Sequence, residues 1–481
     1  MNIAGTTGEP VALGGAACLL PVAGYHEAQA VAASIRRAAI PGLTEVVPAA
    51  DTVGLVYDPL SWSLPDLQVR LAQLVVDAEG PLAGAALPEA VIEVCYDGPD
   101  LPAVAVRASM RPEDVVDLLQ QADLRVGWIG FMPGFPYIVG LPEALTALPR
   151  LARPRARVPA GSLGLGGSCA GIYPASTPGG WNLIGTTNVV LFDDHRVPPA
   201  RLLPGRRLRL RAVDRVDPLL ARPQRPAQRA RTRRFVTVVD PGPLTTVRDS
   251  GRAGVAYLGV PPSGPADPLS HAIANLAVGN APGAAAFELT AAGLTLRCHC
   301  DTFVAVAGDC QLFVDNSPVP AGAVLPVVAG QVLRTGRLQR RSHAYVAVSG
   351  GLDVPAWLGS RSAGVAGFGP PALAPGDELD VGELVGKPRG LIHQPATAQV
   401  TELTMMPGPD GVGDLLAGEW AVAADSDRIG TRLQRSDGSV RSGAWSDAGA
   451  IPSRMAVSGA VQVPPDGDPI VLGPDHGTVG G

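Results

Sequence analysis

Glycines and prolines frame three stretches in the first half of the chain, and these stretches carry residues suited to holding a small ligand. The first, Gly130 to Tyr137, reads GFMPGFPY. Its prolines fix the shape of a loop, and its glycines let a ligand approach the backbone. The candidate ligand contacts are Phe131, Pro133, Gly134, Phe135 and Tyr137. A buried corner between strands is the alternative interpretation.

The second and third stretches add charge and hydroxyl groups. RVPAGS begins at Arg157, and STPGGW ends at Trp181. A guanidinium beside free backbone amides suits a carboxylate or a phosphate. The candidates are Arg157, Pro159, Gly161, Ser162, Tyr173, Gly179, Gly180 and Trp181. A glycine-rich hairpin pair, with Trp181 in the core, explains the same pattern equally well.

Polar residues in glycine and proline frames recur in the second half. The candidate catalytic residues are Asp249, Arg252, Asp267 and Glu288, and Ser263, Asn275 and Arg428 are candidate substrate contacts. Asp249 and Arg252 are expected to orient each other, and the other two carboxylates are candidates for acid–base work. Asp267 precedes Pro268, so it is equally well placed to cap a helix.

The elements that position these residues are expected to be short strands. The 481 residues include 59 glycines and 48 prolines, which predicts tight turns. The fold class is mainly β with some α. We expect a small ferredoxin-like subdomain (1–90), a β-barrel (91–212), an exposed linker (213–234) and a second β-rich domain (235–481). The linker prediction depends on six arginines and two prolines without an acid at 222–234.

Several functions are excluded by what the sequence lacks. The net charge is −6, so nucleic acid is not the expected partner. Lys387 is the only lysine and precedes Pro388, which leaves no phosphate-binding P-loop and no biotin-carrier lysine. No metal site is expected. No apolar run is long enough for a membrane span and no signal peptide opens the chain, so a cytoplasmic location is expected.

The motifs resemble a known family. GFMPGFPY, RVPAGS, GIYP and PGGW together resemble the B subunit of bacterial 5-oxoprolinase, also described as allophanate hydrolase subunit 1. The second half resembles the C subunit through PLTTVRD (243–249), GVPPSG (259–264), SDR (426–428) and QVPPDG (462–467). The resemblance adds Gly264 and Gln462 as site residues. It implies a B-plus-C fusion with cyclophilin-like barrels in both halves.

The resemblance also implies a reaction. The family opens 5-oxo-L-proline to L-glutamate, and it uses ATP with Mg²⁺ at the level of the complex. A separate A subunit, a protein of the lactam-utilisation type, is then the expected partner, and a small lactam or amide is the substrate. Two alternatives stay open: the carboxyltransferase part of a biotin-dependent urea carboxylase, and a regulator that inhibits a sensor histidine kinase. Homo-oligomerisation also stays open.

Some positions depart from the family pattern. Leu119, Cys169, Ala170 and Thr186 stand where the B subunit usually has polar residues that hydrogen-bond more strongly. The chain also ends at Gly481, where the family is expected to continue through another strand. Altered activity toward 5-oxoproline is therefore expected, and a pure packing role for these positions is the alternative.

Overall fold

The computed structural model confirms the expected class, mainly β with some α. It describes residues 5–74, 82, 84–146, 148–151, 153–217, 219, 229–320, 322–365, 367–384, 386–389, 402–409, 415, 418–436, 452–464 and 467–480. Two compact units result. Unit 1 comprises Met1–Ala221, Ala253–Pro261 and Met405–Gly481, and unit 2 comprises Arg222–Arg252 and Pro262–Thr404. The expected division at the linker is therefore incomplete, because the second half contributes two segments to unit 1.

Unit 1 begins with an antiparallel sheet and two helices. Its elements are β1 (Val11–Ala12), β2 (Ala17–Pro21), α1 (Tyr25–Ala38), β3 (Leu43–Pro48), β4 (Thr52–Tyr57) and α2 (Leu64–Leu71). The strand order is β1-β2-β4-β3, and Val31 and Ile35 of α1 pack on the sheet through one apolar core. The Ser63 hydroxyl caps α2 by accepting the Asp66 N–H at 3.3 Å, as Ser63 is suited to do.

A nearly closed barrel follows in unit 1. Its elements are β5 (Ala90–Val94), α3 (Leu101–Arg107), α4 (Pro112–Gln121), β6 (Leu124–Ile129), β7 (Pro136–Val139), β8 (Arg155–Val158), β9 (Ser162–Gly166), β10 (Cys169–Ile172), β11 (Thr177–Gly179), β12 (Asn182–Thr186) and β13 (Arg207–Ala212). The main sheet has the order β12-β9-β10-β7-β6-β13-β5, and β8 pairs with β11. Cys95 and Thr186 exchange backbone hydrogen bonds of 2.9 and 2.8 Å, which join the two edges of the main sheet.

The described part of unit 2 contains two sheets and one α-helix. Its elements are β14 (Phe235–Asp240), β15 (Leu244–Arg248), α5 (Pro268–Ala277), β16 (Ala286–Thr290), β17 (Thr295–Cys298), β18 (Thr302–Ala307), β19 (Leu312–Val314), β20 (Ser317–Val319), β21 (Leu325–Val327), β22 (Val332–Thr335), β23 (His343–Val348) and β24 (Glu378–Asp380). The strand orders are β20-β19-β22-β17-β14-β24 and β15-β16-β23-β18-β21. Both sheets contribute to one core, and the small side chains of Ala274 and Ala277 let α5 pack closely on Ala305 and Ala347.

The C-terminal segment, Met405–Gly481, returns to unit 1 as short strands. These are β25 (Trp420–Val422), β26 (Gly430–Arg435), β27 (Arg454–Met455), β28 (Val461–Gln462), β29 (Ile470–Leu472) and β30 (Val479–Gly480). Met455 of β27 packs where a side chain on Gly54 of β4 would otherwise lie, with its Cβ 2.3 Å from the ideal position. Within the described ranges, no helix combines the length and apolar character that crossing a bilayer requires.

The carboxyl end of the arginine-rich segment is anchored in unit 2. The backbone N–H groups of Arg231 and Thr232 donate to Asp380 at 3.0 and 2.9 Å. Burial raises the pKa of Asp380, but hydrogen bonds from these two residues outweigh it and hold the pKa below its ordinary value. The linker prediction for residues 218 and 220–228 falls outside the described residues.

Brief trypsin treatment tests the linker prediction. Arg222 and Arg225 each precede a proline, which trypsin does not cleave, and Arg231 is anchored at Asp380. Arg229 and the Ala230 N–H likewise bind Glu378, at 3.3 and 3.2 Å. We therefore expect the first cut after Arg215, giving two fragments on a denaturing gel whose ends are identified by mass spectrometry. A first cut inside residues 1–200 or 240–481 would contradict an accessible linker.

Candidate functional site

The GFMPGFPY loop forms the centre of an aromatic cluster in unit 1. The Phe135 ring centroid lies 5.2–5.5 Å from those of Phe131, Tyr137, Tyr173 and Trp181. All four contacts are edge-to-face, the arrangement that aromatic quadrupoles favour. The cluster joins three of the stretches that were singled out from the sequence.

Most of this cluster is interior. Phe135, Tyr137, Tyr173 and Trp181 are buried, as are Pro133 and Gly134, whereas Phe131 is half-buried. These side chains therefore lie in a buried corner, the alternative interpretation of the motif. The buried members hold the loop in place, and Phe131 is the member best placed to contact a ligand.

The backbone of this loop is strained at Phe131. Its φ of 63° lies in the left-handed region, which is costly for a bulky residue. Gly134 also has positive φ (75°), and at Gly171 a Cβ would lie 2.5 Å from the Phe135 ring. Strain held in place by packing is common at ligand sites, so the conformation of Phe131 supports a functional role.

Arg157 is the exposed charged residue of the second stretch. Its Nε donates to the Ser176 hydroxyl at 3.1 Å. Ser162 is buried at the start of β9, and Gly161 has φ 82° with the Thr187 carbonyl 2.1 Å from an ideal Cβ. Pro159 is exposed, and Gly179 and Gly180 are half-buried. Among these candidates, Arg157 is therefore the charged group available to a solute.

The C-terminal segment completes this site. A Cβ on Gly130 would lie 2.4 Å from the Val479 Cβ, and one on Gly477 would lie 2.9 Å from the Phe131 carbonyl oxygen. The Tyr137 hydroxyl donates to the Val479 carbonyl at 3.4 Å. Close approach at two glycines thus fixes this segment against the GFMPGFPY loop.

Arg428 is held by a partner in the same segment. Its Nε and Nη2 donate to the two Asp475 carboxylate oxygens at 2.8 and 3.2 Å, and both side chains are 9% exposed. This is a bidentate, largely desolvated ion pair. Gln462, in the same segment, lies beside Gly480, its amide nitrogen 3.7 Å from an ideal Cβ there. Arg428 therefore positions the backbone of the segment.

Residues Ala253–Pro261, which we call the arm, also belong to unit 1. Glu45 Oε1 and Oε2 accept the N–H groups of Gly254 and Ala256 at 2.7 and 3.1 Å. Farther along the arm, the Gly134 N–H donates to the Leu258 carbonyl at 2.9 Å. The arm therefore links Glu45 to the GFMPGFPY loop.

Replacing Glu45 tests this attachment through its pH dependence. Burial raises the pKa of Glu45 to about 7 against the opposing N–H hydrogen bonds, from an ordinary 4.5. The docked state therefore binds the proton more tightly. The contribution of Glu45 to the free energy of unfolding is largest in acid and declines as pH rises between those values. Glu45→Gln should lose this dependence in urea denaturation at about pH 5 and about pH 8.

Glu89→Gln, on an exposed ion pair with Arg209, is the matched control and should keep the wild-type dependence. If the free energy of unfolding of Glu45→Gln kept the wild-type pH dependence, protonation of the Glu45 carboxyl would not be linked to attachment of the arm.

In unit 2, Asp249 and Arg252 both bind one loop, residues 357–363. Asp249 Oδ1 accepts the hydroxyls of Ser360 and Ser362 at 2.6 and 2.8 Å, and Oδ2 accepts the Arg361 N–H at 2.6 Å. Burial raises the pKa of Asp249, but these hydrogen bonds lower it further, so the net pKa is below its ordinary value. The expected mutual orientation of Asp249 and Arg252 is thus replaced by a shared attachment to this loop.

Arg252 and Arg248 bind the same loop through carbonyl groups. Arg252 donates to the carbonyl of Ser362 and to that of Trp357 at 3.3 Å, and its guanidinium carbon lies 4.4 Å from the Trp357 ring centroid. Arg248 is 2% exposed and donates to the Ala363 carbonyl at 3.1 Å. These cations therefore hold backbone groups inside unit 2.

Glu288 is the buried counter-charge of Arg248. The distance from Arg248 Nε to Glu288 Oε1 is 3.7 Å. Glu288 Oε2 accepts the Tyr345 hydroxyl and the Ala266 N–H, both at 2.8 Å. Such a fully engaged carboxylate stabilises its neighbours, and a role in acid–base chemistry stays a prediction.

Asp267 caps α5, the alternative that the sequence left open. Its Oδ1 accepts the Ser270 N–H at 3.0 Å, and Oδ2 pairs with Arg341 Nη1 at 2.9 Å. Asn275, inside α5, donates to the Ala284 carbonyl at 2.9 Å. Asp267 thus stabilises the start of the helix, and Asn275 joins the helix to the loop that follows it.

Ser263 and Gly264 form the turn beside Arg248. Ser263 has φ 51°, and its carbonyl accepts Arg248 Nη1 at 3.1 Å. A Cβ on Gly264 would lie 3.1 Å from the Ser250 carbonyl oxygen. A hollow of about 10 Å³, room for no more than about one water, lies beside the 357–363 loop and is bordered by Arg361, Pro355 and Pro370.

Asp249→Asn tests the structural use of this carboxylate. The amide keeps the size but removes the charge that accepts the Ser360, Ser362 and Arg361 donors. The free energy of unfolding should fall by about 1–3 kcal/mol, measured by denaturation. Asp353→Asn breaks a half-exposed pair with Arg361 and should cost under about 1 kcal/mol. Equal effects from the two variants would contradict the assignment.

The departures from the family pattern lie in packed surroundings. Leu119 and Ala170 are fully buried, Cys169 is 7% exposed, and the Thr186 hydroxyl donates to Asp97 at 3.0 Å. Burial raises the pKa of Cys169 to about 11, so its thiol is neutral. These placements favour the packing alternative. Within the described ranges, no group of three or more His, Cys, Asp or Glu residues is arranged to hold a metal.

Family models and relatives define the class of both halves. A model described as carboxyltransferase domain, subdomain C and D, matches residues 13–202, and one described as carboxyltransferase domain, subdomain A and B, matches residues 258–481. The crystal structure of TTHA0988 is 34% identical, with a TM-score of 0.84, and the match covers 97% of this chain and 94% of that one. The chain thus has the two-part carboxyltransferase-domain architecture.

Two curated relatives narrow the family. The 5-oxoprolinase B subunit of Bacillus subtilis (strain 168) is 37% identical over 193 residues, which are 37% of this chain and 78% of that protein. The 5-oxoprolinase C subunit of Escherichia coli (strain K12) is 33% identical over 262 residues, 51% of this chain and 82% of that protein. The chain belongs to the family of 5-oxoprolinase B and C subunits, as a fusion of the two.

Sequence reasoning missed several residues that hold these sites together. Glu45, Arg248 and Asp475 each bind groups far away in sequence. Glu45 and Asp475 lie outside the motifs, so the sequence gave no signal for their pairs. Arg248 was nevertheless visible, because it lies inside the PLTTVRD motif beside Asp249.

Proposed function

We propose that this chain is the B-plus-C component of an ATP-dependent 5-oxoprolinase, which opens 5-oxo-L-proline to L-glutamate with a separate A subunit. The observation that supports the proposal most strongly is the match of one chain to the B and C subunits, over 78% and 82% of their lengths. A planar lactam resists hydrolysis, so activation of its carbonyl by ATP gives the reaction its driving force.

ATP is assigned to the A subunit rather than to this chain. Lys387 is exposed and precedes a proline, and the described residues lack a cluster of acidic or histidine ligands for Mg²⁺. The residues present therefore do not fit a nucleotide site, and no step at this chain is assigned to ATP.

This chain is proposed to bind the carboxylate of the substrate. Arg157 is exposed and uses one donor on Ser176, so its guanidinium retains donors for a carboxylate. Phe131, half-buried and conformationally strained, offers an apolar edge for the ring. The A subunit would then activate the lactam that this chain holds.

Reconstitution tests the proposal. The full chain, purified with the A subunit, should release glutamate from 5-oxoproline in step with ATP hydrolysis, and neither protein alone should do so. In that complex, Arg157→Gln should raise KM for 5-oxoproline by about 10–100-fold with little change in kcat, since one charged hydrogen bond is worth about 1.5–3 kcal/mol. Arg153→Gln, at a nearby exposed arginine, should leave both constants unchanged.

The carboxyltransferase descriptions of both family models favour one second candidate, carboxyl transfer from biotin to an amide. Carboxylation of urea by this chain with a carboxybiotin donor, without turnover of 5-oxoproline, would overturn the first proposal and support this one.

A further inference from the structure

His476 lies in the part of the C-terminal segment that contacts the strained loop. Its imidazole is 4% exposed, between Asp475 of the buried ion pair and Gly477, which packs on Phe131. This histidine was not among the residues singled out from the sequence. The burial of a histidine beside the strained GFMPGFPY loop calls for an explanation of its chemical role.

The hydrogen bonding of the ring fixes its tautomer. His476 Nδ1 lies 2.8 Å from the Gly477 carbonyl oxygen. A carbonyl oxygen only accepts, so Nδ1 must carry the hydrogen. Nε2 is then an unprotonated acceptor, and no donor to it occurs in the described part of the chain.

The surroundings keep this ring neutral. Burial lowers the pKa of His476, and the opposing effects of the Gly477 carbonyl and Asp475 are smaller. The Asp475 charge is paired with Arg428. On the loop side, burial raises the pKa of Tyr137, and it raises that of Tyr173 to about 12, so both phenols are uncharged at neutral pH.

A neighbouring hydroxyl also lacks a partner. Thr478 is 1% exposed, and its Oγ1 has no hydrogen-bond partner within the described ranges. Buried polar groups are rarely left unpaired without a functional reason. An unprotonated Nε2 and an unpaired hydroxyl therefore flank Gly477, the residue that contacts the strained Phe131.

We propose that His476 is the proton acceptor for water addition to the lactam, an inference that rests on the proposed 5-oxoprolinase function. As the water oxygen bonds to the carbonyl carbon, one water O–H bond breaks and its proton passes to Nε2. When the ring C–N bond breaks, its electron pair goes to nitrogen, and the imidazolium returns the proton there. The histidine ends as it began, and this step consumes one water. The phosphoryl group that ATP places on the carbonyl oxygen stays on the acyl product, and a second water then releases it as phosphate.

Two substitutions separate this role from a structural one. His476→Asn keeps a donor near the Nδ1 position for the Gly477 carbonyl, and His476→Gln places an amide near Nε2; neither is basic. In the complex with the A subunit, both should lower kcat for 5-oxoproline by about 10²–10⁴-fold, with KM little changed. The acidic limb of the wild-type pH profile should disappear as well.

His299→Asn is the matched control, since this ring stacks on Phe235 and bonds Thr237 Oγ1 at 2.9 Å in unit 2. It should keep wild-type kcat and pH profile. Nitrogen-15 NMR of the full chain at neutral pH should show His476 neutral with hydrogen on Nδ1.

Each alternative outcome is decisive. An active wild-type complex with unchanged kcat or an unchanged acidic limb in His476→Asn would overturn the inference while leaving the proposed function intact. A spectrum with the proton on Nε2 would overturn it without any assay. An inactive wild-type complex would instead overturn the proposed function, and the assigned role with it.

Discussion

The organisation of unit 1 depends on a carboxylate that binds backbone rather than a charged partner. Glu45 holds the arm through N–H groups, and the arm in turn contacts the GFMPGFPY loop, where a Cβ on Gly259 would lie 2.0 Å from the Met132 carbonyl oxygen. Any side chain at position 259 would clash with the Met132 carbonyl, so only glycine lets the arm approach the loop this closely. The strained conformation of Phe131 is thus supported from one side by the arm and from the other by Gly477.

Unit 2 uses its charges in a related way. Arg248, Asp249 and Arg252 lie within five positions of one another, and all three bind residues 360–363. Burying these charges is costly unless each finds partners, and here backbone groups supply most of them. A motif rich in charged residues can therefore be a device for joining two loops.

Much of the fold was accessible from sequence because its determinants are local. Ser63 and Asp267 each cap the helix that follows within three residues, and turn-rich composition predicts short strands. The candidate site was only partly accessible. GFMPGFPY was found as a motif, but its burial depends on ring contacts with Tyr173 and Trp181 from other strands. The pairing of Arg428 with Asp475, 47 residues apart, left no local pattern.

The make-up of unit 1 bears on how such a fusion assembles. Its residues come from both sides of the arginine-rich segment, since the arm and the C-terminal segment follow it in the chain. If the halves were separate polypeptides, completing unit 1 would be a bimolecular event that depends on dilution. A covalent link makes it intramolecular, with an effective concentration on the order of millimolar for a short connection. Fusion thus secures one-to-one stoichiometry, and a chain nicked in the linker would remain one particle during gel filtration.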